Sequence, residues 1–435
     1  MLAWPSSFLV DDLVAADFSA SEDFSASLAI DDLKHLVIEG HDLGNEMYRS
    51  LAKYLFIGTI PETAENIELA RGFGQAAFLL VRGLGRLFDR VSPDVVVMNC
   101  GHVMWYGIAY KLLSARGVRT VTFDETNIAV THLSWNFDDA HPCVDYVWDH
   151  EWSESRDRPL SAEKRANIDA LLEDRRRRFL YEPTDVYETP AELEGLARFD
   201  KVFTLFTNVP WDATIVGKDI VFASMQDWVE EAVRVVEAHP DAALVIRVHP
   251  AEAGVYGMVS RERVAARLLE KVTHLPENVF IIDAERRVNS YKLIEASDGV
   301  LVYCSNVGLE SVLMGKPVVT AGAAHFRNKG LTLDVSTPEQ FSEVFESWCT
   351  RVPKTPDVEL ALRYAYLAFI ETQIELALFD DPHPHAAHNL RVSDMGVALP
   401  AESGRVFGAL SAWIRSTESE RGAFTNPLLE KYRSN

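Results

Sequence analysis

Residues Tyr303 to Gly322, YCSNVGLESVLMGKPVVTAG, constrain the fold more than any other stretch of the chain. An apolar run ends in small polar residues, turns at a glycine, continues with helical spacing and re-enters an apolar run through Gly315-Lys316-Pro317. This is the pattern of a strand, a short helix and a second strand, with the polar turn outside the carboxyl end of a parallel strand. Backbone amides at the start of such a helix, together with the positive end of its dipole, favour an anion. Ser305, Asn306 and the amides around Gly308 are the candidate groups, and Glu310 can cap the backbone or take ligand hydroxyls. The plainer reading is an ordinary βαβ unit with a polar turn. A second motif upstream decides between them.

That motif is VIRVHP, in which Arg247 and His249 alternate at the end of an apolar strand, Pro250 stops it, and Glu252 follows. Alternation places both side chains on one face. A strand that is apolar until Arg-x-His points hydrogen-bonding groups into the crevice where open α/β sheets bind ligands. Around it, DKVFTLFTN, VFIID, GVLVYCS and KPVVTAG read as strands, and MQDWVEEAVRVVEAHP and RERVAARLLEKVTHL as helices. Strand and helix alternate over more than a hundred residues, as in a doubly wound domain.

The first half repeats the theme less regularly. HLVIEG, DVVVMN and VRTVTFDETN read as strands, with helices over about Asn45–Tyr54 and Ala64–Arg90 and another in WYGIAYKLLSARG. The first thirty residues carry no clear signal. Between Glu151 and Pro190 the chain becomes highly charged, with one helix from Ala162 to about Phe179. Arg175 to Arg178 wrap around that helix instead of forming a stripe, which reads as a solvated face. Val358–Ala377 and Gly404–Trp413 read as helices. The predicted domains are therefore 1–195, an N-terminal lobe with a charged linker; 196–395, the ligand-binding lobe; and 396–435, a C-terminal helix and tail packing back across the joint.

Composition removes several function classes. The 65 acidic against 42 basic residues give a formal charge of −23, which argues against nucleic-acid or anionic-membrane binding. The apolar run at residues 76–81 stops at Arg82, far short of a membrane span. MLAWPSSFLVDDL lacks the basic start and long apolar core of a signal peptide. Cys100, Cys143, Cys304 and Cys349 are scattered without metal spacing or a disulfide framework, so a reducing cytoplasm suits them. His383, His385 and His388 form HxHxxH in a proline-broken stretch without a second ligand cluster, and read as a surface loop. No metal ligand set is expected.

TNVPWD (Thr207–Asp212), the helix near Gln226-Asp227-Trp228, IRVHPAE (Ile246–Glu252), YCSNVGLESVLMGKPVV (Tyr303–Val319) and GAAHFRNKGLTLDV (Gly322–Val335) resemble, in order and spacing, the bacterial capsule polysaccharide biosynthesis proteins. The resemblance covers about Phe203 to Val335. It implies a GT-B-like α/β fold of two Rossmann-type lobes, with parallel sheets facing a central cleft, as in Kdo transferases. It also implies a glycosyltransferase with a nucleotide sugar as co-substrate, no tightly bound cofactor, and donor binding on the C-terminal lobe. By this analogy Ser305, Asn306 and Glu310 belong to the donor pocket, His249 lies near the donor phosphates, and Lys329-Gly330 line the cleft. Ala251-Glu252 follow His249-Pro250 where Kdo transferases commonly carry Lys, which leaves nucleotide sugars other than CMP-Kdo open.

Such a reaction releases a nucleoside phosphate, whose developing charge must meet donors already in place. Amides at Asn306 to Leu309, with Arg247, His249 and Lys329, can supply them without metal, and Glu252 belongs to the same expected donor-binding set. An inverting enzyme also needs a base for the acceptor hydroxyl. His41 with Asp42 is the first choice, Glu125 the next, with His102 and Asp124 as further strand-end candidates. Trp105, Tyr106, Trp135 and Trp211 could stack on sugars or fill the core. The expected acceptor is a surface glycan, a lipid-linked glycan or a protein, handled in the cytoplasm at the inner face of the membrane with peripheral contact at most. A nucleotide-sugar 2-epimerase and a non-catalytic scaffold of a glycan assembly complex are the competing readings.

Overall fold

A computed structural model describes residues 13–125, 132–136, 147, 149–177, 195–212, 215–254, 259–272 and 274–375, with Gly408, Ser411 and Ala412 beyond them. The histidines at 383, 385 and 388, Arg178, and most of the expected helix 404–413 lie outside the described residues. The chain forms two compact units. One comprises Met1–Tyr54, Ile60–Tyr146 and Phe369–Asn435, the other Leu55–Thr59 and Val147–Ala368. The charged stretch predicts a boundary after residue 195, whereas the units divide at 146/147 and again at 368/369.

The first unit is organised on the 28-residue helix Ala64–Val91. Thr63 caps it by accepting from the Asn66 N–H, and Ser92 ends it in the left-handed region, one residue before Pro93. Ala70, Ala77, Phe78, Val81, Leu84, Leu87 and Phe88 recur at helical spacing and are buried. Helix Ala15–Ser25, which the sequence did not signal, packs against it. Asp17 anchors that contact through two hydrogen bonds from Arg86, at 2.5 and 2.8 Å. The expected strand HLVIEG is a hairpin instead: β1 (Val37–Ile38) pairs antiparallel with β2 (His41–Asp42). Glu39 and Gly40 both take positive φ, 50° and 82°, which a two-residue hairpin turn of this hand requires.

Three further strands follow, β3 (Val95–Asn99), β4 (Arg119–Glu125) and β5 (His132–Asn136). β3 and β4 are parallel, joined through helix Met104–Ala115; β4 and β5 are antiparallel. The expected parallel arrangement therefore stops at β4. Six residues separate β4 from β5, too few for the crossover that a parallel pair needs.

The second unit contains a six-stranded, all-parallel sheet: β6 (Lys201–Phe206), β7 (Ala242–Arg247), β8 (Val279–Ile282), β9 (Gly299–Val302), β10 (Val318–Thr320) and β11 (Leu333–Asp334). β7 and β9 are buried at every position, as expected for apolar runs covered on both faces. The order is β11-β10-β9-β6-β7-β8. The chain starts in the middle at β6, builds outward through β7 and β8, then returns to β6's other side for β9, β10 and β11. Strand order thus reverses between β6 and β9, and the crevice outside their carboxyl ends is where doubly wound sheets hold ligands. Trp228, Phe203, Tyr303, Phe341 and Phe345 fill the core beside the sheet. Ser224 caps helix Met225–Glu237, Asn289 caps Ser290–Ala296 and Thr337 caps Pro338–Thr350.

The charged segment belongs to this unit. Helices Asp149–Ser155 and Ala162–Arg177 pack with helix Val358–Tyr366, where the Trp152 ring meets Tyr364 edge-on at 5.2 Å and Arg165 pairs with Glu359 at 2.7 Å. The expected continuous helix 358–377 ends early. A π-turn, Leu367–Glu371, follows Tyr366, and β12 (Gln373–Glu375) then pairs antiparallel with β5 in the first unit's sheet. No helix among the described residues is long and apolar enough to cross a membrane.

Candidate functional site

The strand ends at the reversal point bring Thr207-Asn208, His249 and Ser305-Asn306 together. β6 lies between β7 and β9, so the residues following each strand are neighbours. The His249 N–H donates to Thr207 Oγ1 at 3.0 Å, and Asn208 Oδ1 accepts from the Cys304 N–H at 3.3 Å. Thr207 and Asn208 thereby tie the loops after β7 and β9 to the central strand. Neither was singled out individually in the sequence.

The His249 ring is fixed by its own backbone. Nδ1 accepts from the Ala251 N–H at 3.1 Å, closing the single turn Pro250–Ala253. An accepting Nδ1 carries no proton, so the neutral ring carries it on Nε2 and presents that atom as a donor. Burial, with the Arg247 charge second, pushes the imidazole down to about 4 and keeps it neutral near pH 7.

Asn306 is held by a chain that the sequence reading missed. Its Oδ1 lies 2.7 Å from His325 Nε2, and His325 Nδ1 lies 2.9 Å from the Tyr364 hydroxyl. The hydroxyl oxygen also lies 2.7 Å from the His325 carbonyl oxygen, so its one proton serves that carbonyl or Nδ1, and the two rings stack at 5.7 Å. Burial first, then the Lys218 and Lys329 charges, push His325 down to about 3, so it too is neutral. With its proton on Nε2, the neutral His325 donates to Asn306 Oδ1 and leaves Nδ1 to accept from Tyr364, and the Asn306 N–H groups are then the donors offered to a ligand. His325 stood inside GAAHFRNKG, and its imidazole between two polar loops was the available signal.

Other expected ligand groups are turned elsewhere. Arg247 is 2% exposed and its guanidinium donates to the carbonyls of Asp283 (2.8 Å), Arg286 (3.0 Å) and Ile282 (3.5 Å). It ties down the chain after β8. Glu252 is fully buried and accepts from the Val264 N–H at 3.2 Å, at the start of helix Val264–Lys271. Burial pushes its carboxyl up to about 8, so it is protonated near neutral pH. Glu310 accepts from the Tyr291 hydroxyl at 3.1 Å. Lys329 pairs with Asp149. Within the turn at 305–308, the Val307 N–H faces Ser305 Oγ at 3.4 Å and the Gly308 N–H donates to Ser305 O at 3.0 Å, so these amides already have partners. Gly308 sits against Phe326 and Val302: a Cβ there would lie 2.7 and 2.9 Å from their side chains.

Trp211 is a core residue: its Nε1–H donates to Ser260 Oγ at 2.5 Å and its ring meets Phe56 at 5.1 Å. Trp105 is exposed. In the first unit, Asp42 Oδ1 accepts from the Gly44 N–H at 3.2 Å at the start of helix Gly44–Leu55, and its carbonyl takes Lys111. His41 and Asp42 therefore lie on a hairpin, not at the end of a parallel strand. Glu125 ends β4, and its side chain lies outside the described residues. His102 and Asp124 come together with Cys100, one ligand atom of each lying within 4.8 Å of the others. Their separation along the chain concealed this grouping from a search for metal-ligand spacing.

Residues 209–376 match the family described as capsule polysaccharide biosynthesis protein. No curated protein matches the chain. Among solved structures, the chain is similar to the Thermosulfurimonas dismutans KpsC beta Kdo 2,7 transferase, at 16% identity over 68% of this chain and 83% of that one, with a TM-score of 0.40. The KpsC beta Kdo 2,4 transferase of the same organism is 15% identical over 62% of this chain and 79% of that one, TM-score 0.40. The Methanocaldococcus jannaschii UDP-GlcNAc 2-epimerase, in complex with UDP-GlcNAc and UDP, is 12% identical over 67% and 80%, TM-score 0.31. The matched segment carries β7 to β11, the His249 turn and the Asn306–His325–Tyr364 chain, and over that segment the chain is similar to the capsule polysaccharide biosynthesis proteins.

Proposed function

We propose that the protein is a glycosyltransferase that takes a sugar from a nucleotide-activated donor held at the carboxyl ends of β6, β7 and β9. The observation that carries this reading is the pair of preset donors there: the neutral His249 ring with its proton on Nε2, and the Asn306 amide held by His325. As the bond from the anomeric carbon to the donor phosphate breaks, negative charge grows on the leaving oxygen. Fixed donors meet that charge without reorganising, which lowers the barrier. Amide and imidazole groups can do so with no metal at the phosphates. The acceptor is a surface glycan, a lipid-linked glycan or a protein, and a nucleotide-sugar donor fits a cytoplasmic enzyme.

Thermal unfolding in the presence of UDP-, GDP-, CMP- and dTDP-sugars identifies the donor, because a ligand of the native state raises the midpoint. Product analysis with that donor then separates the functions: nucleotide release with a lengthened acceptor supports transfer, an epimerised donor without transfer replaces it, and no turnover with any acceptor favours a scaffold. His249→Ala should lose about 10²- to 10³-fold in kcat while remaining folded by circular dichroism. Because His249 is pushed down to about 4, the wild-type rate should show no His249 limb near its ordinary 6.5. A folded His249→Ala enzyme with wild-type kcat removes this residue from the reaction.

A further inference from the structure

Three side chains meet at the carboxyl ends of β3 and β4, inside the first unit. β3 ends at Asn99, and Cys100 and Gly101 both take positive φ, 41° and 73°. That backbone is uncommon for a residue other than glycine, and the Cys100 N–H holds it by donating to Phe123 O at 2.7 Å. Asn99 stands opposite Phe123 in the parallel register, so Asp124 comes alongside Cys100. His102 follows, 5% exposed, just ahead of helix Met104–Ala115. The ligand atoms of the three all lie within 4.8 Å of one another.

Thiolate, imidazole and carboxylate are the three ligand types zinc takes, and bonds of about 2.0–2.3 Å at tetrahedral angles put neighbouring ligand atoms about 3.3–3.6 Å apart. The His102 ring is already oriented: its Nδ1 lies 3.3 Å from Cys100 O. A ligating imidazole usually makes such an outer hydrogen bond, which leaves Nε2 for the metal. Burial comes first and pushes the Cys100 thiol up, while backbone amides of His102, Val103 and Gly101 act the other way, towards the thiolate. The Asp124 carboxylate also opposes that thiolate, and a divalent cation between the two anions reverses its effect.

We propose that Cys100, His102 and Asp124 bind one divalent transition-metal ion of the zinc class, with a fourth position left for water or a ligand oxygen. The site lies in the first unit, and the proposal stands whether or not the protein transfers a sugar. Full-length protein stripped with a chelator is titrated with Co²⁺, a spectroscopic stand-in for zinc. The expected result is one Co²⁺ per chain, with a thiolate-to-cobalt charge-transfer band, strong tetrahedral d–d absorption, and displacement by Zn²⁺. Cys100→Ser should abolish the charge-transfer band, and His102→Ala and Asp124→Asn should each weaken binding by at least about tenfold. Cys143→Ser, Cys304→Ser and Cys349→Ser should leave the spectrum as it is. Circular dichroism checks each variant, and His102→Ala with Asp124→Asn decides the matter if Cys100→Ser does not fold. A wild-type protein with no charge-transfer band, or a band that survives Cys100→Ser or both other ligand substitutions, overturns the proposal.

Discussion

Gly308→Ala separates two explanations of the glycine in the turn after β9. In the structure, a Cβ at this position would lie 2.7 Å from Phe326 Cζ, 2.9 Å from Val302 Cγ2 and 3.3 Å from Phe326 Cε2. Val302 and Phe326 are both fully buried, so neither can swing into solvent. Carbon atoms pack best at about 3.5–4.0 Å, so the added methyl overlaps its two nearest neighbours by roughly 0.6–0.8 Å or more. Overpacking of this kind costs about 1–3 kcal/mol, against which alanine's better helix propensity returns about 1 kcal/mol. The net expectation is a loss of up to about 2 kcal/mol. Phe326→Leu should destabilise on its own by leaving a gap, yet it gives the methyl room. The double variant should therefore be more stable than the sum of the two single effects by about 1 kcal/mol, a coupling of the size expected for residues in contact. Urea unfolding midpoints of the four proteins, followed by tryptophan fluorescence, give the cycle. If Gly308→Ala keeps its stability but loses donor affinity, and Phe326→Leu does not couple to it, the packing argument is refuted and the glycine serves close approach of a ligand.

Two carboxyl groups give opposite pH signatures. Asp17, held down to about 2 chiefly by its hydrogen bonds from Arg86, contributes stability that is complete above the ordinary 3.8 and fades as the pH falls through the folded value. Asp17→Asn should thus lose about 1.5–3 kcal/mol in urea unfolding at pH 7, and the gap to wild type should shrink towards pH 2. Glu252, pushed up to about 8 by burial, runs the other way: the folded protein keeps a proton that the unfolded chain releases above 4.5. Wild-type stability should fall by up to about 1.4 kcal/mol per pH unit as the pH rises from 4.5 through 8, and Glu252→Gln should lack that component.

The second unit was legible because its strands are continuous apolar runs ended by Pro, Gly or small polar residues, so β6 to β10 fell where the pattern set them. The reversal between β6 and β9 is a matter of strand order, which no local pattern carries. In the first unit, alternation alone could not distinguish a parallel strand from the hairpin at Val37–Asp42, and the two positive-φ residues Glu39 and Gly40 decided it. At the site, position along the strand was readable but side-chain direction was not. Arg247 and His249 share a strand end, yet the guanidinium turns to three backbone carbonyls while the imidazole is fixed by the Ala251 N–H. The His325–Asn306 contact and the Cys100–His102–Asp124 grouping both depend on pairing across strands, and residue spacing within one motif does not report such pairs.

On the proposed function, the donor binds in the second unit at the ends of β6, β7 and β9. Isothermal titration of the donor found by the thermal screen, with wild type, Asn306→Ala and Ser305→Ala, tests it most directly. Loss of a hydrogen bond to a charged group is worth about 1.5–3 kcal/mol, so Asn306→Ala should weaken binding by about 10- to 150-fold, with a smaller binding enthalpy. Ser305→Ala should weaken it less, because the Ser305 hydroxyl already faces the Val307 N–H. Unchanged affinity and enthalpy in both folded variants would contradict the claim.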